Sequence, residues 1–340
     1  MKYILEITTK IGCANMCEYC PQTKLVRRYM KRGHMTTLNE NFNNAGDNIH
    51  LAFMEEYLKG DKNRETMMSV DTFKKCLSTI DTNVDIHFSG YVEAFENPDA
   101  IEMVEHAVAK GHSVGINTTL MFVTKDIIDR LVKIGKFKHF HVHTPSATYF
   151  ETIGRIGKTS FLRDDPRDTD KRQDGKEISE KYLELLGYMI DNARKVGAHF
   201  HTHSAPGHEL HPEIEARYGK QMRAIGYANR GLNSRAGNIG KLTGEALWKD
   251  NWCQRIIHNV LLPDGGVQLC CQDYGLEEPI GNLLHMSYHE LFATKRFKEI
   301  SCGKASICQR CDDGVAVPNH EKNRLRRMEF DEASWRIRGK

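Results

Sequence analysis

The sequence has no excess of charge of either sign and no long apolar run. Its 48 Lys and Arg residues against 45 Asp and Glu give a formal net charge of +3, which argues against a nucleic acid or an anionic membrane as the main partner. No run of eighteen apolar residues occurs, and the opening stretch MKYILEITTKIGC is too short in apolar residues for a secretory signal. These absences predict a soluble, cytoplasmic protein.

The ten cysteines of the 340-residue chain are concentrated toward its two ends. A disulfide framework is typical of small secreted domains, so metal ligation is favoured over disulfide bridging here. Cys76 is the exception, because it stands alone in the helical pattern VDTFKKCLSTI. We expect it to be a packed structural thiol.

Short runs rich in β-branched and aromatic residues alternate with helical patterns through the first two thirds of the chain. The predicted strands are 3–9, 85–90, 113–119, 139–145 and 199–206. The predicted helices are 68–80, 97–111, 124–135 and 179–197. Regular alternation of this kind predicts parallel βαβ units, and therefore an α/β sheet or barrel.

Two long segments interrupt this alternation, and the residue pattern changes near residue 236. Residues 22–66 are polar and predicted to be an inserted lid or substrate loop, and residues 154–177 are charged and Gly-rich. After residue 236, short apolar runs flank the sequence PDGG, which predicts a β-hairpin. We expect a barrel over 1–235, a small cysteine-bearing module over 236–318 and a tail over 319–340.

The first cysteine group consists of Cys13, Cys17 and Cys20, separated by three and then two residues. Three thiolates can bind three irons of a [4Fe–4S] cluster and leave the fourth iron open for another ligand. A zinc site would need a fourth ligand, and the nearest histidine, His34, lies fourteen residues farther on. The spacing therefore favours an open iron–sulfur cluster over zinc.

Cys-x3-Cys-x2-Cys after a first strand, with Tyr19 directly before the third cysteine, resembles the radical S-adenosylmethionine (radical SAM) enzymes. The resemblance implies a partial (β/α)6, TIM-like barrel. It also implies that S-adenosylmethionine chelates the open iron and, on reduction, yields a 5′-deoxyadenosyl radical. An external one-electron reductant of flavodoxin or ferredoxin type is implied as a partner, and Tyr19 is implied to lie at the cofactor.

Further cofactor contacts follow from the same resemblance. The stretch FSGYVEAFENPD is similar to the family's Gly-Gly-Glu segment, which implies that Glu93 receives the cofactor's ammonium group. Asn117 and Thr119 in INTTL resemble residues that contact the ribose or methionyl group, and His143 occupies a place where the family often has serine. Structural roles in a loop or a turn are the alternatives for these side chains.

Histidines alternate in the runs HFHVH and HFHTH, so each triplet lies on one face of its strand. Such an arrangement could bind a catalytic metal, as in metal-dependent barrel hydrolases. The further lysine and aspartate ligands of such a site are not evident. We therefore expect His141, His143, His201 and His203 to lie in or near the cavity, with His141 and His203 in contact with substrate. Hydrogen bonding in the barrel wall is the alternative.

The C-terminal cysteines resemble the auxiliary-cluster module known as SPASM, or its shorter twitch form. The similarity rests on Cys253, Gly265 and Cys270 at characteristic spacing and on the pair Cys308 and Cys311 in SICQRC. The resemblance implies that four of these thiolates fully ligate an auxiliary [4Fe–4S] cluster. Only Cys271 and Cys302 then remain in this region, which favours the one-cluster twitch form.

A fully ligated second cluster implies electron transfer during turnover. The expected reaction is hydrogen abstraction from a sugar, polyol or aminocyclitol and oxidation to a ketone, with Asp273 as the candidate base and Arg235 as a substrate ligand. Epimerisation with Cys271 as the hydrogen donor is the alternative. A peptide-modifying maturase is less expected, because the first barrel strand begins at residue 3. The alternative from another class is a barrel hydrolase with a zinc-binding module.

Overall fold

In the computed structural model, the described residues are 3–13, 15, 20–31, 66–145, 178–203, 210–230, 235–236, 238, 253–301 and 304–312. Nine strands form one sheet in the order β6-β5-β4-β3-β2-β1-β7-β8-β9. Strands β1 to β6 are parallel to their neighbours and follow one another in chain order. They are β1 Ile4–Ile7, β2 Asp85–Phe88, β3 Val114–Thr118, β4 His139–His143, β5 Ala198–His203 and β6 Tyr227–Arg230.

Helices connect these strands, as parallel pairing requires. They are α1 Gln22–Tyr29, α2 Val70–Leu77, α3 Ala100–Ala109, α4 Lys125–Ile134, α5 Glu180–Val196 and α6 Pro212–Ile225. Side chains of Ser69, Thr124 and Ser179 accept hydrogen bonds from backbone amides in the first turns of α2, α4 and α5, which is the usual N-cap arrangement. Gly197 ends α5 with φ 74°, a left-handed conformation that glycine adopts without strain.

The two faces of the parallel sheet differ in polarity. Leu5 and Ile7 of β1, like Phe140 and Val142 of β4, are fully buried in the core shared with the helices. The residues between them point to the opposite face, where Glu6, His141 and His143 are only partly buried. The inner face of the sheet is therefore polar and rich in histidine.

The C-terminal hairpin extends the same sheet. Strands β7 His258–Leu261 and β8 Gly266–Gln268 are antiparallel, with the predicted turn between them, and β9 Pro279–Asn282 pairs with β8. Strand β7 also runs parallel to β1, with Ile4 opposite His258. The hairpin is thus hydrogen-bonded to the first barrel strand. Two short helices, α7 Tyr288–Ala293 and α8 Lys295–Ile300, follow.

The predicted fold class is confirmed as an α/β sheet of six parallel (β/α) units with a small hairpin and helices at the C-terminal side. One correction concerns the segment 22–66, because its first residues form α1 rather than a loop. Leu25, Val26 and Tyr29 bury the apolar side of this helix, although basic residues dominate its sequence. Residues 32–65, 154–177 and 319–340 lie outside the described part of the chain.

The sixth unit was not recognisable from its sequence pattern. Strand β6 is the four-residue run Tyr-Ala-Asn-Arg, which has no apolar alternation. It lies at one end of the sheet and hydrogen-bonds only to β5 among the described strands. Within the same described residues, no helix is both long and apolar enough to cross a membrane.

Candidate functional site

The loop after β1 carries the first cysteine group and is bonded to the loop after β2 by an ion pair and a hydrogen bond. Cys13 is buried and Cys20 half-buried, while Cys17 and Tyr19 lie outside the described residues. Lys10 forms an ion pair with Glu96, and both side chains are almost completely buried. Thr9 Oγ1 also donates to the carbonyl oxygen of Ala94 at 2.8 Å. These contacts hold the cysteine loop against the segment that contains Glu93.

Gly90 allows the loop after β2 to approach β1 closely. Its φ is +37°, and a Cβ atom there would lie 2.5 Å from Thr8 Oγ1 and 2.7 Å from the Ile7 carbonyl oxygen. The amide of the next residue, Tyr91, donates to Thr8 Oγ1 at 3.2 Å. A residue without a side chain is therefore required at this contact.

Glu93 is held by the end of β3. Its carboxylate accepts hydrogen bonds from Thr118 Oγ1 at 2.8 Å and from the amide and hydroxyl of Thr119 at 2.6 and 2.7 Å. Asn15 Nδ2 donates to the same Thr119 hydroxyl at 2.9 Å. Burial raises the pKa of Glu93, and the bonds from Thr119 and Thr118 oppose that rise. The structure thus brings the predicted residues Glu93 and Thr119 together beside the cysteine loop.

Two buried tyrosines connect the first cysteine group to the second. The Tyr274 hydroxyl lies 3.8 Å from Cys20 Sγ, and the Tyr91 hydroxyl donates to the carbonyl oxygen of Cys270 at 2.8 Å. The two rings are in contact, with centroids 4.7 Å apart. Gln22 Nε2 also donates to Cys20 Sγ at 3.5 Å. The two predicted cluster sites are therefore separated by one pair of aromatic side chains.

The second cysteine group lines a single cavity. Cys253, Cys270, Cys308 and Cys311 all face it, and its remaining walls include the apolar side chains Ile256, Leu269, Ile300 and Ile307. Cys253 precedes a short 3-10 helix, and Cys270 follows β8. Cys308 begins a second 3-10 turn, and Cys311 comes directly after it. The fold therefore brings together four thiols from three separate places in the sequence.

The cavity suits an iron–sulfur cluster by the chemistry of its donors. Burial, together with the nearby Cys311 and Cys253, raises the pKa of Cys308 to about 12. Thiolates so close together need a compensating positive charge, which a metal centre supplies. Among the described residues no three His, Cys, Asp or Glu side chains are arranged to hold one metal ion. Four thiolates can together ligate a [4Fe–4S] cluster completely.

An ionic network supports the segment around these cysteines. Glu277 Oε1 accepts from Arg310 Nη2 at 2.8 Å and from Lys24 Nζ at 3.0 Å. Partial burial raises the pKa of Glu277, but the bonds from Arg310 and Lys24 outweigh this effect and bring it to about 2. The network joins α1 to the turn that bears Cys308 and Cys311.

The candidate catalytic residues lie in different surroundings. Asp273 is fully buried, and its carboxylate oxygens accept from the amides of Glu277 and Glu278 at 2.8 Å each. This is the geometry of a carboxylate that closes a turn. Cys271 is buried beside Arg255, whose Nη1 lies 4.0 Å from its sulfur. Asp273 thus has both oxygens bonded to backbone amides, whereas the Cys271 thiol lies beside a guanidinium group.

The histidines of β4 and β5 meet on the inner face. The rings of His143 and His201 are stacked at 5.1 Å, and His141 meets His201 edge-on at 5.5 Å. Asn117 lies exposed on the same face, opposite His141 in the neighbouring strand. His203 ends β5, and its side chain lies outside what is described.

Arg235 lies close to the first cysteine group. Its charge lowers the pKa of Cys20 and of Glu6, although burial, the largest cause, raises both. Its backbone has a positive φ of 50°, and its carbonyl oxygen accepts from the side chain of Asn238 at 2.6 Å. The predicted substrate ligand is thus near both the cysteine loop and the inner face of β1.

Sequence reasoning assigned no role to Glu6 on the inner face of β1 or to Tyr91 and Tyr274 between the two cysteine groups. Glu6 had a readable signal, since it is the one charged residue in the apolar strand ILEI. The tyrosines had none, because their contact joins positions that are far apart in the chain.

Comparison with known proteins gives one family and several solved structures. Residues 253–312 match the family described as SPASM, an iron–sulfur cluster-binding domain. No curated protein shows significant similarity. The crystal structure of BtrN in complex with AdoMet and 2-DOIA is 12% identical, with 93% of this chain and 95% of that chain covered and a TM-score of 0.49.

Two further matches are similarly distant. Native anSMEcpe with bound AdoMet is 12% identical over 98% of this chain and 97% of that chain, with a TM-score of 0.48. SuiB of Streptococcus suis bound to S-adenosylmethionine is 12% identical over 93% and 73% of the two chains, with a TM-score of 0.39.

The family match begins at Cys253 and also includes the other three cysteines that line the cavity. The resemblance inferred from the C-terminal cysteine spacing is therefore confirmed. Residues 253–312 are therefore similar to the SPASM family of iron–sulfur cluster-binding domains.

Proposed function

We propose that this chain is a radical SAM enzyme that oxidises a secondary alcohol of a polar small molecule to a ketone. The observation that carries the proposal is the Tyr91–Tyr274 contact, which lies between Cys20 and the cavity lined by four cysteines. Cys13, Cys17 and Cys20 would hold a [4Fe–4S] cluster that binds S-adenosylmethionine and supplies the 5′-deoxyadenosyl radical. Electrons for this chemistry would come from a flavodoxin- or ferredoxin-type partner.

The chain's own residues would orient the cofactor from the ends of the first three strands. Thr118 and Thr119 hold the Glu93 carboxylate in one orientation, which suits a partner that carries an ammonium group. This edge is also where active sites lie in parallel barrels. Tyr19, Asn117 and His143 are proposed as further contacts with the cofactor.

The inner face of the sheet would bind the substrate. His141, His143 and His201 give ring nitrogens that can donate or accept hydrogen bonds. Burial lowers the pKa of both His87 and His258 to about 4, so these rings are neutral near pH 7. A neutral, hydrogen-bonding surface with Arg235 nearby suits a sugar, polyol or aminocyclitol. His203 is proposed as a further contact at the end of β5.

The contact between the two sites supports oxidation rather than simple hydrogen abstraction. A ketone forms only if the substrate loses an electron and a proton after its hydrogen atom is removed. Cys253, Cys270, Cys308 and Cys311 would ligate the auxiliary cluster that accepts this electron, and their cavity adjoins the tyrosine pair. Asp273 is the base that the sequence predicts, but both of its oxygens are occupied by backbone amides.

Epimerisation remains a second candidate because of the position of Cys271. Its thiol contacts Arg255, and its charge raises the pKa of Glu6 on the inner face of β1. A thiol near the inner face of β1 could return a hydrogen atom to a substrate radical. The atom would arrive at the face of the carbon opposite to the one from which hydrogen was abstracted.

Anaerobic reconstitution tests the proposal. Two [4Fe–4S] clusters require about eight irons per chain, and Cys308→Ser should reduce the content to about four. The matched control Cys76→Ser should retain both clusters, because Cys76 is a buried residue of α2 and belongs to neither cysteine group. Reduction with dithionite in the presence of S-adenosylmethionine should yield 5′-deoxyadenosine.

Fewer than about four irons with bound zinc, and no 5′-deoxyadenosine, would refute the radical mechanism and favour the barrel hydrolase. Cys271→Ala separates the two radical reactions. Retained hydrogen abstraction with loss of the epimer would support a donor role for Cys271, and full turnover would exclude it.

A further inference from the structure

Three polar residues lie at one register level across four neighbouring strands. Glu6 of β1 is opposite His87 of β2, His87 is opposite Gly115 of β3, and Gly115 is opposite His139 of β4. Paired residues of parallel strands point to the same face, so all of these positions face the barrel interior. In this row, Glu6 is the penultimate residue of β1, whereas His139 is the first residue of β4. The row therefore runs from the cysteine-loop end of the sheet toward its opposite end.

Gly115 makes the row continuous. A Cβ atom at this position would lie 2.7 to 2.9 Å from three atoms of the His87 ring. The ring thus occupies the space that a side chain on β3 would fill, and it reaches His139 with ring centroids 5.2 Å apart. The buried Nε2 atom of His87 has no hydrogen-bond partner among the residues that the structure describes. A ring nitrogen in that position is available to a water molecule or to a proton in transit.

The two ends of the row have different surroundings. His139 is exposed to solvent. Glu6 retains partial solvent access, yet burial raises its pKa well above the ordinary range, with a smaller increase from Cys271 and decreases from Arg255 and Arg235. This combination is expected for a carboxyl group in the wall of an internal cavity.

Burial keeps the His87 ring neutral. It is the largest of the causes that together lower the pKa of His87 to about 4; the charges of His139, His258 and Lys138 act in the same direction, and Asp85 opposes them. A neutral imidazole can accept a proton on one nitrogen and release one from the other, which a permanently charged ring cannot do.

We propose that Glu6, His87 and His139 form a proton path between the barrel cavity and solvent at the opposite end of the sheet. Its use in turnover rests on the proposed function. Oxidation of a secondary alcohol to a ketone removes one hydrogen atom, one electron and one proton. The hydrogen atom goes to the 5′-deoxyadenosyl radical and the electron to the auxiliary cluster. Protonated Glu6 releases its proton to His87 and takes the hydroxyl proton in its place, and His87 and His139 pass the released proton to water.

The path can be tested without substrate or S-adenosylmethionine, so its failure is distinct from failure of the proposed function. The probe is the infrared C=O stretching band of protonated Glu6 in the reconstituted full-length protein, assigned by its absence in Glu6→Gln. On rapid mixing with D2O the band shifts as the proton is replaced by deuterium. In the wild type this replacement should be fast.

His87→Phe should slow the replacement on the order of 10²-fold, the typical effect of a positioned proton-transfer group. His139→Gln tests the same path at an exposed position, where a folding defect is not expected, and should also slow it. His199→Phe is the matched control, because His199 is an exposed histidine one row farther along the same face. It should exchange at the wild-type rate.

Equal exchange rates in the wild type, His87→Phe and His139→Gln would overturn the path. So would the absence of any Glu6-dependent acid band, because a proton path needs Glu6 to hold a proton. Slowing by His199→Phe to the same extent would also overturn it, since the effect would then be general loosening of the sheet.

Discussion

Replacement of Gly90 by alanine should destabilise the protein and weaken cofactor binding together. The new Cβ atom would lie 2.5 Å from Thr8 Oγ1 and 2.7 Å from the Ile7 carbonyl oxygen, and φ there is +37°. Left-handed backbone costs a residue with a Cβ about 1–2 kcal/mol. Overpacking against fixed atoms adds about 1–3 kcal/mol. We therefore expect a loss of roughly 2–5 kcal/mol in the free energy of unfolding.

Gly111→Ala provides the matched control. Gly111 also has a positive φ, +86°, but the nearest atom to its Cβ position is Thr82 Cγ2 at 3.7 Å. Only the backbone cost of about 1–2 kcal/mol should remain in this variant. Urea unfolding followed by circular dichroism measures both losses, and isothermal titration with S-adenosylmethionine measures affinity. Equal destabilisation by the two substitutions, or unchanged affinity in Gly90→Ala, would refute the steric argument.

Three further predictions concern buried or paired carboxylates. Lys10→Met should cost about 3–5 kcal/mol of unfolding free energy because it removes the ammonium group that pairs with the buried Glu96 carboxylate. Adding Glu96→Met should restore most of this loss in urea unfolding, and no recovery would contradict the ion-pair argument. Glu93→Gln should weaken S-adenosylmethionine binding about ten- to a hundredfold, because a charge-assisted hydrogen bond is lost. Calorimetric titration measures this affinity, and an unchanged value would exclude Glu93 from the cofactor site. The pKa of Glu277 is lowered from 4.5 to about 2, so its contribution to stability is present above pH 4.5 and is lost as pH falls toward 2. Glu277→Gln should therefore be less stable than the wild type at neutral pH, with a difference in urea midpoint that shrinks on acidification; a constant difference would exclude the ionic origin.

Local chemistry made much of the barrel predictable. Helices α2, α4 and α5 begin at side-chain caps, and their apolar spacing is visible in the sequence. The strands β1 to β5 contain β-branched or aromatic residues that alternate with polar ones. The six-residue helices and strand β6 were less accessible, because such short elements depend on tertiary packing for their stability.

The cysteine spacing was similarly informative, since ligand number and separation limit which metal centres can form. It predicted the SPASM region, whose family match covers residues 253–312. The spacing said nothing about the supporting contacts. Lys10 and Glu96 are individually ordinary charged residues, and only folding places both in the core.

By itself, the sequence determined the alternation of strands and helices and the two groups of closely spaced cysteines, because both are local patterns of a few to a few tens of residues. Tertiary structure decided which side chains from distant segments meet. The contact of Tyr91 with Tyr274 and the row from Glu6 to His139 depend on strand order and register. A shift of one residue would turn each of these strand side chains to the opposite face, and no local pattern fixes register between strands so far apart in the chain.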